Sequence, residues 1–572
     1  MTLWNRRHVL GASAGTLAAW ASERALAAAA KKDAAPMLRT APAFRSAPAL
    51  VNEAPAAPRE FRAAWVATVA NIDWPSRKGL SSAEQQAEML AILDRAVALR
   101  LNAIILQIRT SADALYPSKL EPWSEYLSGI QGQPPQPFYD PLALWIAQAH
   151  ARGLELHAWF NPFRARQSKA GSAAAKTHVS QKHPVWVKAY GDQLWIDPGE
   201  KAAADHTVAV FMDVLRRYDV DGIHIDDYFY PYPVTQGDEV KTELDFPDQT
   251  SWQRYLNAGG KLTREDWRRS NVDALVERIY HSIRKTKPWV RFGVSPFGLG
   301  KPELRPEGIQ GFSQYHKLYA DVERWLQQGW MDYLVPQLYW RMEPKEQAFV
   351  PLLDYWHRQN PKGRHVWAGL FTSRITVPAA VPVIPVVAAP ALPTSAPAPE
   401  AKPGWLPEEI MNQIVAVRTR APGSGHVHFS MVALMQNRLG VADALRGTRY
   451  QEVALVPATP WLEASAPLAP LVQLHATSAT SWQLQLRSPR GSKAAVRWAV
   501  WLRFGTHWTL QVVTHHTVDV PASDAAGHHF NGVVVSAIDR VGKESPRVGL
   551  VPNSLQPLTG LAQAAPYLIA TL

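Results

Sequence analysis

Two neighbouring aspartates, Asp226 and Asp227, are the residues whose type and spacing best suit chemistry in this sequence. In the stretch before them, Ile223 and Ile225 alternate with His224 and Asp226, which is the period of two expected of a strand. A run of Tyr and Phe follows directly. Paired carboxyl groups beside aromatic rings suit acid/base catalysis on a sugar. The alternative is an Asp-Asp turn that only caps the next segment.

The elements that position this pair read as a (β/α)8 barrel. Short apolar stretches alternate with helix-like segments over residues 59–450, and Ala103–Arg109 is apolar almost throughout, as in a strand buried on both faces. Barrel enzymes keep their active sites at the carboxyl ends of the strands, where Asp227 would emerge. The predicted strands are 59–69, 103–109, 154–162, 220–226, 291–297, 333–340, 365–371 and 425–430.

Polar or aromatic residues end six of these strands and would meet at one opening. Buried polar groups without a partner are costly, so together they predict substrate-binding positions. Singly, each has a structural alternative: Arg109 and Asp113 could form an ion pair, and an inward His could be a core residue. The candidates for substrate binding are Asp73, Trp74, Arg109, Asp113, His157, Asn161, Arg164, His224, Tyr228, Ser295, Phe297, Gln337, Tyr339 and Trp340.

The amino-terminal residues resemble an export signal. Arg6 and Arg7 precede a modest apolar run and a small-residue site at 25–27, a pattern typical of the twin-arginine route. We therefore expect residues 1–27 to be removed and the mature protein to reside in the periplasm. No later stretch is long and apolar enough to predict a transmembrane segment.

Three further segments differ from the barrel in composition. Residues 28–58 are rich in Ala and Pro without periodicity, which predicts a disordered linker. Residues 377–404 are almost purely Ala, Pro and Val and predict a disordered insertion within the barrel. Residues 455–572 alternate polar and apolar side chains, which predicts a small β-sandwich of fibronectin-III type with a tail.

The overall composition narrows the classes of ligand. The formal net charge is +11, but the basic residues are scattered rather than gathered in a stripe, so nucleic acid is a poor fit. The absence of cysteine excludes disulfides and zinc-thiolate sites. Twenty-three tryptophans favour a carbohydrate ligand. We expect no cofactor and no metal; activity lost with EDTA and restored by a divalent ion would instead indicate a metal near His157 and His224.

Several blocks of sequence resemble the bacterial glycosyl-hydrolase-like family 10, the former DUF187 group. They lie in one order over about residues 60–440. The blocks are F-R-A-A-W-V-A-T-V-A-N-I-D-W-P-S, L-Q-I-R-T-S-A-D-A-L-Y-P-S, E-P-W-S-E-Y-L-S-G, H-A-W-F-N-P-F-R, Y-D-V-D-G-I-H-I-D-D-Y-F-Y-P, D-W-R-R-S-N-V, F-G-V-S-P-F-G and P-Q-L-Y-W.

The resemblance implies an exported barrel hydrolase of the cell envelope, with peptidoglycan glycan strands as its substrate class. By position it implies that Asp226 and Asp227 are the paired aspartates. The flanking blocks of the same resemblance contribute Arg109, Asp113, His157, Asn161 and Gln337.

A second resemblance, to a motif of chitinases, bears on the mechanism. Residues 221–228 are similar to the D-G-x-D-x-D-x-E strand of chitinases, in which the acetamido group of the substrate attacks the anomeric carbon. His224 replaces the middle Asp of that pattern and Tyr228 replaces its acidic Glu. Our hypothesis is that Asp227 is the general acid and that Asp226 orients an N-acetyl group or a water.

Other acids and other mechanisms stay open at this point. Asp113 and Asp73 are reserve candidates, and Gln337 ends the strand at which a retaining enzyme often carries its second carboxylate. Inversion needs carboxyl groups about 6.5–9.5 Å apart and direct retention needs about 5–5.5 Å.

Two other functions compete with cleavage of peptidoglycan-type GlcNAc/MurNAc strands. One is hydrolysis of an exopolysaccharide of the poly-glucosamine type. The other is non-catalytic binding of a cell-wall glycan, with the sandwich recruiting an envelope protein. Paired acids favour catalysis, because glycan binding depends more on aromatic and amide groups. The glycosidic linkage, endo or exo action and the oligomeric state stay open.

Overall fold

A computed structural model describes most of the chain as a barrel followed by two antiparallel sheets. The predicted signal peptide, almost all of the predicted insertion at 377–404 and the carboxyl-terminal tail lie outside the described residues. The described ranges are 44–167, 170–236, 242–343, 348–376, 404–478 and 481–552.

Eight strand positions form the parallel barrel that the sequence predicts. Each strand pairs with the next in chain order, and the eighth returns to the first. The seventh position has two segments, of which one pairs with the sixth strand and the other with the eighth. The strands are β1 (Phe61–Val66), β2 (Ala103–Arg109), β3 (Glu155–Phe160), β4 (Gly222–Ile225), β5 (Arg291–Val294), β6 (Tyr333–Leu334), β7 (His365–Val366 and Ala368–Leu370) and β8 (Gly425–His428).

A helix follows each strand and covers the outside of the barrel. The first helix begins at a capping box: the Ser81 hydroxyl accepts from the Glu84 backbone N–H, and the Glu84 carboxylate accepts from the Ser81 backbone N–H. No helix within the described ranges is long and apolar enough to cross a membrane. The helices are α1 (Ser82–Ala98), α2 (Pro141–Ala151), α3 (Lys201–Arg217), α4 (Arg264–Thr286), α5 (Val322–Gln328), α6 (Phe349–Arg358), α7 (Pro407–Arg420) and α8 (Met431–Met435).

Short elements extend the loops at the rim. After β3, the strands Arg164–Arg166, Val187–Tyr190 and Gln193–Ile196 form a small antiparallel sheet. Thr235–Gln236 pairs with Thr242–Glu243 after β4. Short helices occur at Glu125–Ser128, Val179–Lys182, Gln249–Asn257, Gln314–Lys317 and Val441–Ala444.

The carboxyl-terminal strands form two antiparallel sheets that share an apolar core. One sheet has the order β9-β10-β13. The other has the order β12-β11-β14-β15, and the amino-terminal strand Phe44–Ser46 pairs with β15 as its fifth strand. Leu484 and Trp498 lie at the centre of their common core. The strands are β9 (Leu471–Ser478), β10 (Ser481–Arg487), β11 (Arg497–Phe504), β12 (His507–Val513), β13 (Thr517–Pro521), β14 (Phe530–Ile538) and β15 (Val548–Pro552).

The prediction of a disordered linker over 28–58 is wrong for its last part. Phe44–Ser46 is a strand that pairs with β15, and Pro48–Glu53 is a helix. Phe44 packs edge-on against Trp482 with ring centroids 4.6 Å apart, and Leu50 is buried. Two isolated apolar residues among Ala and Pro show no periodicity, so the sequence alone did not reveal this contact.

The barrel interior contains a buried ionic network near the amino ends of its strands. Glu155 accepts from Arg291 at 2.9 Å and contacts His157 at 3.2 Å. Arg497 of β11 approaches the same carboxylate at 3.5 Å, so the network also joins barrel and sandwich. The adjacent cations hold the pKa of Glu155 below its usual range despite burial. The network therefore keeps Glu155 ionised inside the barrel.

Removing one partner of this network should destabilise the protein strongly. We expect Arg291→Met to lower the free energy of unfolding by about 3 kcal/mol, since it leaves a buried carboxylate with fewer partners. Arg278→Met is the control, because Arg278 forms an exposed pair with Asp205 and should cost less than about 1 kcal/mol. Chemical denaturation measures both, and equal losses would contradict the structural role of Arg291.

Candidate active site

A cavity of about 190 Å³ lies at the carboxyl ends of the barrel strands. Residues at or just after the ends of most of the strands contribute to it, as expected of a barrel active site. Its walls combine aromatic rings with a small number of polar groups, the usual composition of a ligand site. The lining residues are Trp65, Ala67, Val69, Ile72, Gln107, Trp159, Arg164, Asp226, Asp227, Tyr228, Tyr232, Ser295, Gln337, Tyr339 and Phe429.

Asp226 is held by donors from the neighbouring strand. The indole of Trp159 donates to its Oδ2 at 2.9 Å, the amide of Asn161 donates to the same oxygen, and the Tyr228 backbone approaches Oδ1 at 3.5 Å. Burial and the charge of the adjacent Asp227 raise the pKa of Asp226 to about 8. The carboxyl pair therefore holds a proton at neutral pH.

A chain of amides fixes the orientation of Asn161. The Gln107 carbonyl accepts from the backbone N–H groups of Thr68 and Val69 at 3.0 and 2.9 Å. The NH₂ group of Gln107 must then face Asn161, and it donates to the side-chain oxygen Oδ1 of Asn161 at 2.6 Å. The NH₂ group of Asn161 is left to face Asp226. Backbone groups after β1 thus determine which atoms meet the carboxyl group.

Asp227 is contacted by residues that follow β4 and β6. The Tyr232 phenol donates to its Oδ2. The Gln337 amide donates to the Ser295 carbonyl at 3.1 Å, and its side chain also lowers the pKa of Asp227. Burial raises the pKa of Asp227 as well. The two acids face one cavity but are bound by different elements, so they can serve different roles.

Arg164 supplies a cation at the same cavity. Its Nε donates to the Thr110 carbonyl at 3.1 Å, and its guanidinium lies 4.3 Å above the Tyr228 ring. It lowers the pKa values of both aspartates, against the effect of burial. Its Nη2 is buried and has no hydrogen-bond partner within the described residues. That N–H group is available to a ligand oxygen.

Aromatic rings form the rest of the wall. Tyr339 stacks on Phe371 with centroids 4.7 Å apart, and Trp65 lies edge-on to Phe429 at 6.0 Å. Rings of this kind contact the apolar faces of sugars while neighbouring polar groups bind hydroxyls. The cavity can hold a sugar unit against two acids and one cation.

The structure brings together seven of the residues that the sequence singles out. Asn161 lies directly behind the cavity and bonds to Asp226. Phe297 and Trp340 lie beside it, with Phe297 6.4 Å from Tyr232 and 5.6 Å from Trp340. The predicted residues that line the cavity are Arg164, Asp226, Asp227, Tyr228, Ser295, Gln337 and Tyr339.

Arg109 and Asp113 lie outside the cavity and do not pair with each other. Arg109 binds Glu121 through two hydrogen bonds of 2.8 and 2.6 Å and donates to the Asn161 and Pro162 carbonyls. The Asp113 carboxylate accepts from Thr110 and other groups of its own loop. Glu121 lies further along the same loop, which folds back at Ala114 and Pro122 and brings the Glu121 carboxylate to the guanidinium, a contact that sequence spacing does not show.

Asp73 and Trp74 also have structural roles. The Asp73 carboxylate accepts from Ser430 at 2.8 Å and from the Val432 backbone at 2.6 Å, which ties the loop after β1 to the start of α8. Burial raises its pKa to about 6. Trp74 is fully buried and packs edge-on against Trp145 at 5.3 Å. Neither residue lines the cavity.

His157 and His224 point into the packed interior of the barrel below the cavity. The Tyr333 hydroxyl lies 2.7 Å from His157 Nδ1 and 3.2 Å from His224 Nδ1. Trp65 donates to His224 Nε2 at 3.2 Å. Burial holds the pKa of His224 well below its usual range, so this imidazole is neutral. These histidines are satisfied core residues.

Sequence reasoning missed several residues of the cavity wall. Trp65, Gln107 and Trp159 point inward from β1, β2 and β3, and an alternation count along those strands could have found them. Tyr232 lies in the aromatic run after the aspartates, between two prolines. Phe429 ends the predicted eighth strand, from which no candidate was taken.

Comparisons with known proteins show which family and which relatives the chain is similar to. Residues 60–382 match the family described as glycosyl hydrolase-like 10. The chain is similar to glycosyl hydrolase YngK of Bacillus subtilis, with 40% identity over 72% of this chain and 76% of that protein. It is also similar to glycosyl hydrolase DigH of Escherichia coli K12, with 32% identity over 55% of this chain and 73% of that protein.

Among solved structures, the chain is similar to the PgaB (BpsB) glycoside hydrolase domain of Bordetella bronchiseptica. The sequence identity is 13% and the TM-score is 0.44. The alignment covers 68% of this chain and 98% of that domain.

The shared proton of the aspartate pair should make stability depend on pH. The folded pKa of Asp226 lies above its ordinary value of 3.8, so the folded state gains stability at low pH and loses it as pH rises toward about 8. Asp226→Asn should flatten this decline between pH 5 and pH 8 by up to about 4 kcal/mol.

Urea denaturation of both proteins at the two pH values measures the difference. Asp94→Asn is the control, because Asp94 is an exposed acid on α1. If Asp226→Asn and the parent lost stability in parallel, the buried pair would not hold the proton.

Proposed function

The chain belongs to the glycosyl hydrolase-like 10 family and is a glycoside hydrolase, and from this premise we propose that it cleaves peptidoglycan-type GlcNAc/MurNAc strands by carboxylate acid/base catalysis. In this proposal Asp227 is the general acid, and Asp226 orients the 2-acetamido group of the substrate. The observation that carries the proposal is the pair of buried carboxyl groups, held by different donors, in one cavity with Arg164 and aromatic rings.

The acids that line the cavity favour a substrate that supplies its own nucleophile. Within the described residues, Asp226 and Asp227 are its only carboxyl groups. They are consecutive on the chain, so a separate carboxylate across the sugar, as inversion or direct retention uses, is not among its lining residues. An acetamido oxygen can attack the anomeric carbon instead, which is the substrate-assisted route. This argument favours 2-acetamido sugars.

The hydrogen bonds support different roles for the two acids. The donors on Asp226 favour its ionised form, which can accept the acetamido N–H. We propose that the proton shared by the pair moves to Asp227 when the acetamido N–H adds a further donor to Asp226, whose own pKa is about 8 without substrate. In the first step the acetamido oxygen bonds to C1, the glycosidic bond breaks and the proton of Asp227 passes to the leaving oxygen. Water then attacks C1 and passes a proton to the Asp227 carboxylate while the bond from C1 to the acetamido oxygen breaks. The acid is thereby regenerated, and the product retains the anomeric configuration.

The proposal also includes export to the periplasm and a carboxyl-terminal sandwich of fibronectin-III type. Arg6 and Arg7 with the small-residue site at 25–27 support export by the twin-arginine route to the periplasm. The sheets β9-β10-β13 and β12-β11-β14-β15 support a sandwich of fibronectin-III type, and the strand Phe44–Ser46 adds a fifth strand to the second sheet at β15. Its binding to an envelope protein stays a prediction.

Two variants with two substrates test the roles of the acids. Asp227→Asn should lower cleavage of an N-acetylated glycan about 10²–10⁴-fold, as expected for loss of a general acid. On a dinitrophenyl 2-acetamido glycoside it should lose little, because that leaving group needs no proton. Asp226→Asn should lose activity on both substrates, since the nucleophile is no longer oriented. Initial rates measure these effects.

Asp94→Asn serves as the exposed control and should match the parent on both substrates. Full glycan cleavage by Asp227→Asn would contradict the assignment. For the substrate class, sacculi stripped of stem peptides and poly-glucosamine should be compared by mass analysis of products. Soluble GlcNAc/MurNAc saccharides support the proposal, and products from poly-glucosamine alone would favour an exopolysaccharide hydrolase.

A further inference from the structure

Tyr232 lines the cavity, and neighbouring residues of its own segment restrain its backbone. Pro231 and Pro233 flank it, and a proline restricts both its own φ and the conformation of the residue before it. The backbone N–H of Val234, one residue further on, donates to the Tyr190 hydroxyl at 3.2 Å. The segment thus places the tyrosine at a fixed point five residues beyond Asp227.

The ring of Tyr232 is packed on a second loop. It stacks on Phe312 with centroids 5.2 Å apart and an interplanar angle of 25°. Arg305 holds that loop by donating to the carbonyls of Gly300, Gly311 and Phe312 at 2.7, 3.2 and 2.9 Å. The loop after β5 therefore fixes the phenol from the side away from Asp227.

The phenol meets the carboxyl group of Asp227 directly. Its hydroxyl donates to Oδ2, which leaves Oδ1 to carry a transferable proton. The charged or titratable groups that also face Asp227 are Asp226, Arg164, Tyr228 and Tyr339.

We propose that Tyr232 is a positioning residue for Asp227, which orients the carboxyl group and stabilises the charge left on it after proton transfer. The inference rests on the proposed function, in which Asp227 protonates the leaving glycosidic oxygen. When that proton moves to the oxygen, the glycosidic bond breaks and Asp227 becomes a carboxylate. The hydrogen bond from Tyr232 strengthens at that moment, because bonds to charged acceptors are stronger than bonds to neutral ones.

Tyr232→Phe tests this role, since it removes the hydroxyl and keeps the ring on Phe312. The phenol lowers the pKa of Asp227, so the variant should raise it. Because a general acid acts in its protonated form, the alkaline limb of the kcat/KM profile should move up by about one pH unit. At the optimum, kcat should fall about tenfold or more while KM changes less than about twofold.

Tyr315→Phe is the matched control, because Tyr315 lies on Arg269 and Lys301 outside the cavity. It should keep both the rate and the pH profile of the parent. A loss of kcat in Tyr232→Phe with an unmoved alkaline limb would overturn the inference.

A titration without substrate separates this inference from the proposed function. The carboxyl carbons of ¹³C-labelled aspartate, with Asp227 assigned through Asp227→Asn, should report a higher pKa for Asp227 in Tyr232→Phe than in the parent. An unchanged pKa would overturn the inference even if the enzyme cleaves the glycan. A parent protein inactive on every N-acetylated glycan would refute the proposed function, and the titration would still decide the contact.

Discussion

Two carboxyl groups next to each other in a buried cavity repel one another when both are ionised, and little solvent is present to screen them. The cavity of this protein is arranged around that constraint. Donors from β3 and from the amide chain behind it engage Asp226, and a phenol and an amide engage Asp227. Arg164 lies close enough to offset one charge. The pair therefore holds one proton at neutral pH, which acid catalysis requires.

The barrel makes this arrangement possible by bringing separate strand ends to one opening. Gln107 on β2 fixes Asn161, Asn161 holds the acid that follows β4, and Gln337 beyond β6 reaches the second acid. Arg109 contributes at a distance, because it binds the carbonyls of Asn161 and Pro162 while paired to Glu121. The buried ion pair of Glu155 and Arg291 joins β3 to β5 in the same way at the amino ends of the barrel strands. Rigid groups below the cavity thus support the groups that line it.

The fold was more predictable from sequence than the individual contacts. Apolar runs such as Ala103–Arg109 have a local signature, and a family resemblance set their order, so the barrel could be predicted and is confirmed. The partner of Arg109 could not be predicted, because the choice between Asp113 and Glu121 depends on loop geometry. His157 and His224 resemble site residues in sequence but point into the packed interior. The ordered segment that begins at Phe44 was missed because its few apolar residues form no local pattern. They are buried only by their contact with the carboxyl-terminal sheets.

The central claim is that the aspartate pair acts with the acetamido group of the substrate rather than with a distant third carboxylate. The anomeric configuration of the first product, followed by ¹H NMR during cleavage of an N-acetylated glycan, tests this claim most directly. Two successive displacements at C1 predict that the new reducing end first appears with the configuration of the bond that was cut. A product that first appears with the opposite configuration would contradict the account, because a single displacement by water needs a base that the described cavity wall does not contain.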